Sequence, residues 1–289
     1  MDAGRVALRG THDARAFEVD VTVSRDRPRR ARLNGDTLRS AEHLRHAFHT
    51  LVFTPDRLAV VKGGPAVRRA YLDRSLARIS PAKAALPTEY ATALGQRNAA
   101  LRRVALGISS RGALAPWTAS VVEAGAALVA ARREATALVA SRFAELATRI
   151  GLEDATLAYE GDPPSHTELE AKLARDVERG FTGAGPHLHD LRIEASARDL
   201  RTYGSQGEQR TAVLALVLGE AQAIVERTGV EPLVLLDDVL SELDGDRRRA
   251  LVEILVGGGQ TVITATAAAA LPVEPAQLLI VEDGDVREA

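Results

Sequence analysis

Two segments carry the residues whose types and spacing best suit chemistry. The apolar run Leu233-Val234-Leu235-Leu236 ends in two adjacent carboxylates, Asp237 and Asp238. Open α/β sheets place their ligands at the carboxyl ends of buried strands. One carboxylate there can hold Mg²⁺, directly or through water, while the next orients or deprotonates an attacking water. An acidic turn closing a strand is the plain structural alternative. The second segment, Tyr203 to Thr211, puts Ser205, Gln206 and Gly207 at the mouth of a helix. Ser205 and Glu208 have the spacing of a capping box. Capping does not require Gly207, and glycine in a first turn costs up to about 1 kcal/mol relative to alanine. A bare glycine beside a hydroxyl and free helix N–H groups suits the close approach of a phosphate.

A phosphate loop needs Gly-Lys followed by Ser or Thr. The chain's lysines, Lys62, Lys83 and Lys172, follow Val61, Ala82 and Ala171. No such loop therefore occurs in these 289 residues, and Lys62-Gly63-Gly64-Pro65 reads as a turn before a helix.

The elements that must position these residues follow from hydrophobic period. Residues 5–10 and 15–23 read as strands, with Phe17, Val19, Val21 and Val23 alternating against Glu18, Asp20 and Thr22. Asn34-Gly35 marks a tight hairpin. The five arginines between Arg25 and Arg32 suit either phosphate contact or a solvated strand edge protected from pairing. Leu51-Val52-Phe53 is a strand end. From about 66 to 151 the pattern is helical, closing with one helix from Trp117 to Ile150 that would extend roughly 50 Å at 1.5 Å per residue. Val122, Val129, Phe143 and Ile150 fall on a seven-residue spacing, with Val139 and Leu146 on the adjoining seam and Thr136 interrupting it. A projecting antiparallel arm is the natural reading, with an ordinary helix bundle as its counterpart. Residues 152–180 are acidic and polar and return the chain to the first domain. The strand 191–193, an apolar helix 206–228, a βαβ unit (233–236, 245–256, 261–266) and a strand 277–281 before the Asp283-Gly284 turn complete an α/β fold with a parallel sheet.

Composition narrows the setting. There is no cysteine, so disulfides and thiolate metal sites are excluded, which fits a reducing cytosol. The net charge of -2 says nothing of partners. No signal peptide is visible near Met1, and no uninterrupted apolar run approaches the roughly 20 residues that span a bilayer. A soluble, cytoplasmic protein without membrane association is expected.

At this point the segments resemble a known family. Ser205-Gln206-Gly207-Glu208-Gln209-Arg210-Thr211, the run from Leu235 to Asp244, and Val262-Ile263-Thr264-Ala265-Thr266 resemble the signature, Walker B, D-loop and switch segments of the RecF family of bacterial DNA replication and repair proteins. Phe53-Thr54-Pro55-Asp56, Lys62-Gly63-Gly64-Pro65 with Arg68-Arg69, Leu72-Asp73 and Gln96-Arg97-Asn98 extend the resemblance through the arm. The family's Gly-Pro-His-Arg-Asp-Asp stands here as Gly185-Pro186-His187-Leu188-His189-Asp190, so an arginine and an acid are replaced.

The resemblance implies an ABC-type ATPase head, incomplete at its N-terminus, with an inserted helical arm. It divides the chain into a β-rich part of the head (1–58), the arm (59–180) and a second part of the head (181–289). The family carries its phosphate loop before the region matched here, so Met1 is expected to fall inside a domain, and a truncated reading frame is favoured over natural loss. The family's ATP sits between two subunits arranged head to tail. Ser205, Gln206, Gly207 and Gln209 would then face a partner's γ-phosphate, Asp237 would hold Mg²⁺, and Asp238 would be the base. Asp244 would communicate across the dimer, with Thr264 or Thr266 near the γ-phosphate. The implied partners are single-stranded and junction DNA, RecO and RecR, in recombinational gap repair and the SOS response. The alternatives are a DNA- or partner-binding module that has lost ATP, and the ATPase subunit of a transporter, which the long arm and Leu-Leu-Asp-Asp disfavour.

Overall fold

The computed structural model describes residues 3–12, 15–26, 28, 30–38, 49–283 and 285–289. Its packing divides into two compact units, Met1–Thr50 and Leu51–Ala289. The first unit is an antiparallel sheet of β1 (Ala3–His12), β2 (Arg15–Ser24), β3 (Arg30–Leu33) and β4 (Asp36–Thr37) in that order. β-Branched and aromatic residues fit this pleated surface, and Val19, opposite Leu8 and Leu33, is its buried centre. Asn34 and Gly35 both take positive φ, 51° and 89°, as a two-residue hairpin turn requires. Of the arginine-rich stretch, Arg25, Arg30 and Arg32 are exposed, while Arg27 and Arg29 lie outside the described residues.

In the second unit, β5 (Thr50–Phe53) leads through a 3-10 turn into α1 (Ala59–Lys62) and α2 (Pro65–Ile79). α3 (Leu86–Ala105) and α4 (Ala115–Arg149) follow. α4 joins two apolar clusters. Its first half packs with Leu76, Tyr90, Ala93 and Leu169, through Val121, Leu128, Ala131 and Ala135. Its second half contributes Val139, Phe143, Leu146 and Ala147 to the main core. The expected seam is present there, and Thr136 is buried with its hydroxyl unpartnered. By length and composition alone the helical stretch Arg111–Arg149 is apolar enough to cross a membrane, although Thr118, Ser120 and Glu123 interrupt its apolar runs.

The remaining elements are β6 (Ala155–Glu160), α5 (His166–Ala171), α6 (Leu173–Arg179), β7 (Asp190–Ala195), β8 (Arg198–Asp199), α7 (Leu200–Tyr203) and α8 (Gln206–Thr228). β9 (Leu233–Asp237), α9 (Gly245–Leu255), β10 (Thr261–Thr264), β11 (Leu279–Glu282) and β12 (Asp285–Glu288) complete the chain. Two elements go beyond the sequence reading. Within residues 152–180, Ala155 and Leu157 alternate inward as β6, antiparallel to β7, before two short helices. The last strand is not alone, since β11 and β12 form a hairpin; Gly284 of its expected turn lies outside the described residues.

α8 is buried along most of its length, as its all-round apolarity predicts, and shares the main core with Leu51, Phe53, Val234 and Leu236. Gly219 lets it approach α4 closely, because a Cβ there would lie 3.1 Å from the Phe143 main-chain nitrogen. β9 and β10 pair in parallel across α9, with Thr261 opposite Val234 and Thr264 opposite Asp237, and β5 borders β9 on the other side. This is the expected βαβ unit, and it sets Asp237 and Asp238 at the carboxyl end of a partly buried strand.

Candidate functional site

Alternation along β9 buries Val234 and Leu236, and the strand's last residue, Asp237, emerges exposed. The Thr264 hydroxyl joins the two strand ends. It donates to Asp237 Oδ1 at 2.6 Å and accepts from the Asp238 main-chain N–H at 3.0 Å. Asp238 then leaves the strand in the left-handed region (φ 49°, ψ 30°), a conformation that aspartate tolerates better than most residues. The Ser241 hydroxyl donates to its carbonyl at 2.9 Å. Asp238 Oδ1 is buried and has no hydrogen-bond partner. Leaving such an oxygen unsatisfied costs about 1–3 kcal/mol, which a bound ion or water at this strand end would offset.

These carboxylates suit Mg²⁺. Among the described residues no cluster of three or more acids or histidines gathers into a cage. Mg²⁺ is ordinarily held by one or two carboxylates, with water and ligand phosphates completing its octahedron. Thr266 lies beyond the end of β10, which is shorter than the sequence suggested, and is exposed.

At the mouth of α8 the capping box is complete. Ser205 Oγ accepts from the Glu208 N–H at 3.2 Å, and Glu208 Oε2 accepts from the Ser205 N–H at 2.7 Å. The Ser205 backbone and side-chain hydrogen bonds, in that order, hold the Glu208 carboxyl below its ordinary range, helped by Arg198 and Arg247. Ser205, Gln206 and Gly207 are exposed, and outside its own helical turn nothing lies within 4 Å of where a Gly207 Cβ would stand. The structural and ligand-facing readings of this segment are therefore compatible, since the cap uses the Glu208 N–H and leaves the first-turn N–H groups free. Gln209 is a correction. It is 5% exposed, and its Nε2 donates to the Leu200 carbonyl at 2.8 Å. Helix periodicity turns position 209 toward the core while 206 and 207 face out.

Asp244 caps α9, accepting from the Arg247 N–H at 2.9 Å. Arg247 was not singled out by sequence. It reaches the Gly151 carbonyl at 3.2 Å and also acts on Glu208, so the cap of α9 and the cap of α8 share one cation. Its signal was only positional, a basic residue three after an N-cap acid.

The motif residues of α2, α3 and α4 form a second polar assembly with the segment before β7. Arg68 grips Asp190 through two bonds, at 2.7 and 2.5 Å, and donates to the Gly63 carbonyl at 2.8 Å. Arg132 does the same with Asp73, at 2.8 and 2.9 Å, and donates to the Pro186 carbonyl. Arg97 is buried against Asp176 and Thr182, at 3.0 and 2.7 Å. His187 Nε2 faces the Thr182 carbonyl at 3.0 Å and must donate to it, so Nδ1 accepts from the Tyr90 hydroxyl at 2.7 Å. His189 Nδ1 lies 2.7 Å from the Tyr159 hydroxyl, whereas Leu188 is exposed. The departures at 188 and 189 thus sit in the loop before β7, while Asp190 keeps a firm structural partner.

No family model matches the chain. The DNA replication and repair protein RecF of Heliobacterium modesticaldum is 34% identical over 276 residues, a match covering 91% of this chain and 74% of that protein. RecF of an Anaeromyxobacter species (strain K) is 39% identical over 288 residues, covering 92% and 75%. Among solved structures, the recombination mediator protein RecF with ATP, of the RecFOR pathway, is 25% identical with a TM-score of 0.81, covering 100% of this chain and 80% of that one. The Smc head domain of Pyrococcus furiosus bound to the C-terminal domain of ScpA, 15% identical at TM-score 0.56, shares the fold. The architecture is that of an α/β ABC-type ATPase head, and with relatives of this identity matched over three quarters of their length, the chain belongs to the family of the DNA replication and repair protein RecF.

Proposed function

We propose that this chain carries the signature-bearing and carboxylate-bearing parts of an ATP-controlled DNA-repair protein that acts at single-strand/duplex junctions. Two copies would meet head to tail around ATP, with Ser205, Gln206 and Gly207 of one facing the nucleotide of the other. Asp237 would hold Mg²⁺, Asp238 would act as the base toward the attacking water, Thr264 and Thr266 would lie toward the γ-phosphate, and Asp244 would report across the dimer. Gln209 supports this surface from behind by holding Leu200. The three-part division at residues 58 and 180 belongs to this proposal, as a division of tasks between head and arm. So do the partners RecO and RecR, the SOS response and a cytoplasmic setting.

The observation that carries the reading is Asp238, a carboxylate kept in a left-handed backbone with one oxygen buried and unpartnered at the end of a parallel strand. A purely structural turn gains nothing from that arrangement. What this sequence lacks is the Gly-Lys-Ser/Thr cradle for the β- and γ-phosphates, so the 289-residue chain should hold ATP only weakly. The assigned role is tested in a form that carries a phosphate loop. There Asp238→Asn should abolish ATP turnover while leaving ATP binding, and unchanged turnover refutes the role. For the DNA reading, affinity for a gapped duplex should exceed that for a blunt one and fall steeply between about 50 and 200 mM salt. Equal and salt-independent binding contradicts it.

A further inference from the structure

The turn joining α3 to α4 presents apolar side chains that the fold itself does not use. α3 ends in a tightly capped turn in which the Ile108 N–H bonds to the Arg103 carbonyl at 2.9 Å and the Gly107 N–H to the Val104 carbonyl at 3.0 Å. Gly107 takes φ +70°. This is a Schellman arrangement, in which the residue after the glycine normally packs on an apolar residue one turn back. Here those positions are Arg103 and Arg102, and Ile108 is 60% exposed, with Leu106 beside it 74% exposed. The turn is fixed by its own main-chain bonds, so both side chains are held outward rather than left to collapse.

The same end of the arm is strongly basic. Between Glu89 and Glu123 the sequence contains no acid, and Arg102, Arg103 and Arg111 are all exposed. The Arg103 and Arg111 guanidiniums have no hydrogen-bond or ion-pair partner among the described residues. Arg102 reaches the Gly180 carbonyl at 3.4 Å, which brings the exposed Phe181 ring and Arg179, 6.0 Å from its centroid, to this side. Two aliphatic side chains make too small a patch for a stable protein interface, which needs on the order of 800 Å² per partner. Unpaired arginines around a small, rigid apolar point instead suit phosphates flanking an exposed base.

We propose that the α3–α4 turn is a DNA-contacting tip that recognises the step from double to single strand. Leu106 and Ile108 lie against the terminal base pair, while Arg103 and Arg111 take the flanking phosphates. The proposal rests on the DNA-binding reading given above and assigns that binding a location. It is tested on the whole 289-residue chain with fluorescein-labelled gapped and blunt duplexes, by anisotropy across a salt series. Arg103→Ala with Arg111→Ala should weaken binding to both DNAs and reduce the slope of log affinity against log salt by about two. Leu106→Ser with Ile108→Ser should keep that slope but lower the preference for the gapped duplex at least about threefold. All four residues are exposed, so an unchanged thermal midpoint verifies folding. Wild-type affinity, slope and junction preference in both variants overturn the tip while leaving the DNA-binding reading intact. No binding of either DNA by the parent chain overturns the tip, whose arginine contacts need no nucleotide, while the ATP-controlled reading is judged separately in the form that carries a phosphate loop. If the arginine variant instead loses only affinity for phosphatidylglycerol vesicles, the tip is a membrane contact and the proposal fails.

Discussion

The Thr264 hydroxyl donates to Asp237 Oδ1 at 2.6 Å, tying the end of β10 to the carboxylate at the end of β9. Because the same oxygen accepts from the Asp238 N–H, one side chain sets the direction of both acids. Thr264→Val removes both bonds at nearly constant shape and should lower stability by about 1 kcal/mol, a modest value because the site is exposed. Thr264→Ser should restore most of it. Urea midpoints of the two variants check this, and equal values for Val and Thr would show that the hydroxyl does not hold the site.

Arg97 of α3 and Asp176 of α6 form a buried ion pair, with the Asp176 side chain only 2% exposed. Removing the cation alone strands the carboxylate, a loss of about 3–5 kcal/mol for a buried pair broken on one side. Arg97→Met should therefore approach global unfolding, whereas Arg97→Met with Asp176→Leu should recover a large part. A double variant no better than the single one would show that the pair is not coupled.

Acid sensitivity should have two separable stages. Burial, aided by the Arg69 charge, pushes the His187 pKa down against the Thr182 carbonyl bond; for His189, burial is aided chiefly by Arg132. A histidine whose pKa is depressed in the fold adds stability that is fully present above its ordinary value of 6.5 and is lost as pH falls through the folded value. Burial opposes the charged form of Asp190, but its Arg68 bonds and the Leu191 N–H outweigh this and hold its pKa below the usual range. Its contribution is lost only below the ordinary carboxylate range of about 4. Denaturation midpoints should thus decline in two steps, and His187→Gln with His189→Gln should remove the upper step alone. Persistence of that step in the double variant would place it elsewhere.

What sequence could reveal divides along physical lines. α8 and the long α4 were legible almost to the residue, because sustained apolar periodicity and an explicit capping box depend on neighbours within a turn or two. β6 was missed because Thr156 and Glu160, flanked by Glu153, Asp154 and Asp162, gave the stretch a polar look, and its inward Ala155 and Leu157 matter only opposite Ala195 and Ile193 of β7. The buried Arg97 had a local sign, a charge on the stripe Tyr90, Ala93, Leu101, but its partner lies 79 residues away. Gln209 was misjudged for the opposite reason. A motif resemblance assigns a whole segment, while helix geometry gives each of its residues a separate direction.

The most direct test concerns the phosphate cradle. Equilibrium dialysis of the 289-residue chain against ATP, with and without Mg²⁺, should show no saturable binding tighter than roughly millimolar, because backbone N–H groups and a lysine for the β- and γ-phosphates are missing from its sequence. A micromolar, Mg²⁺-dependent affinity would contradict this. It would mean that Asp237, Asp238 and the residues around them form a complete nucleotide site by themselves.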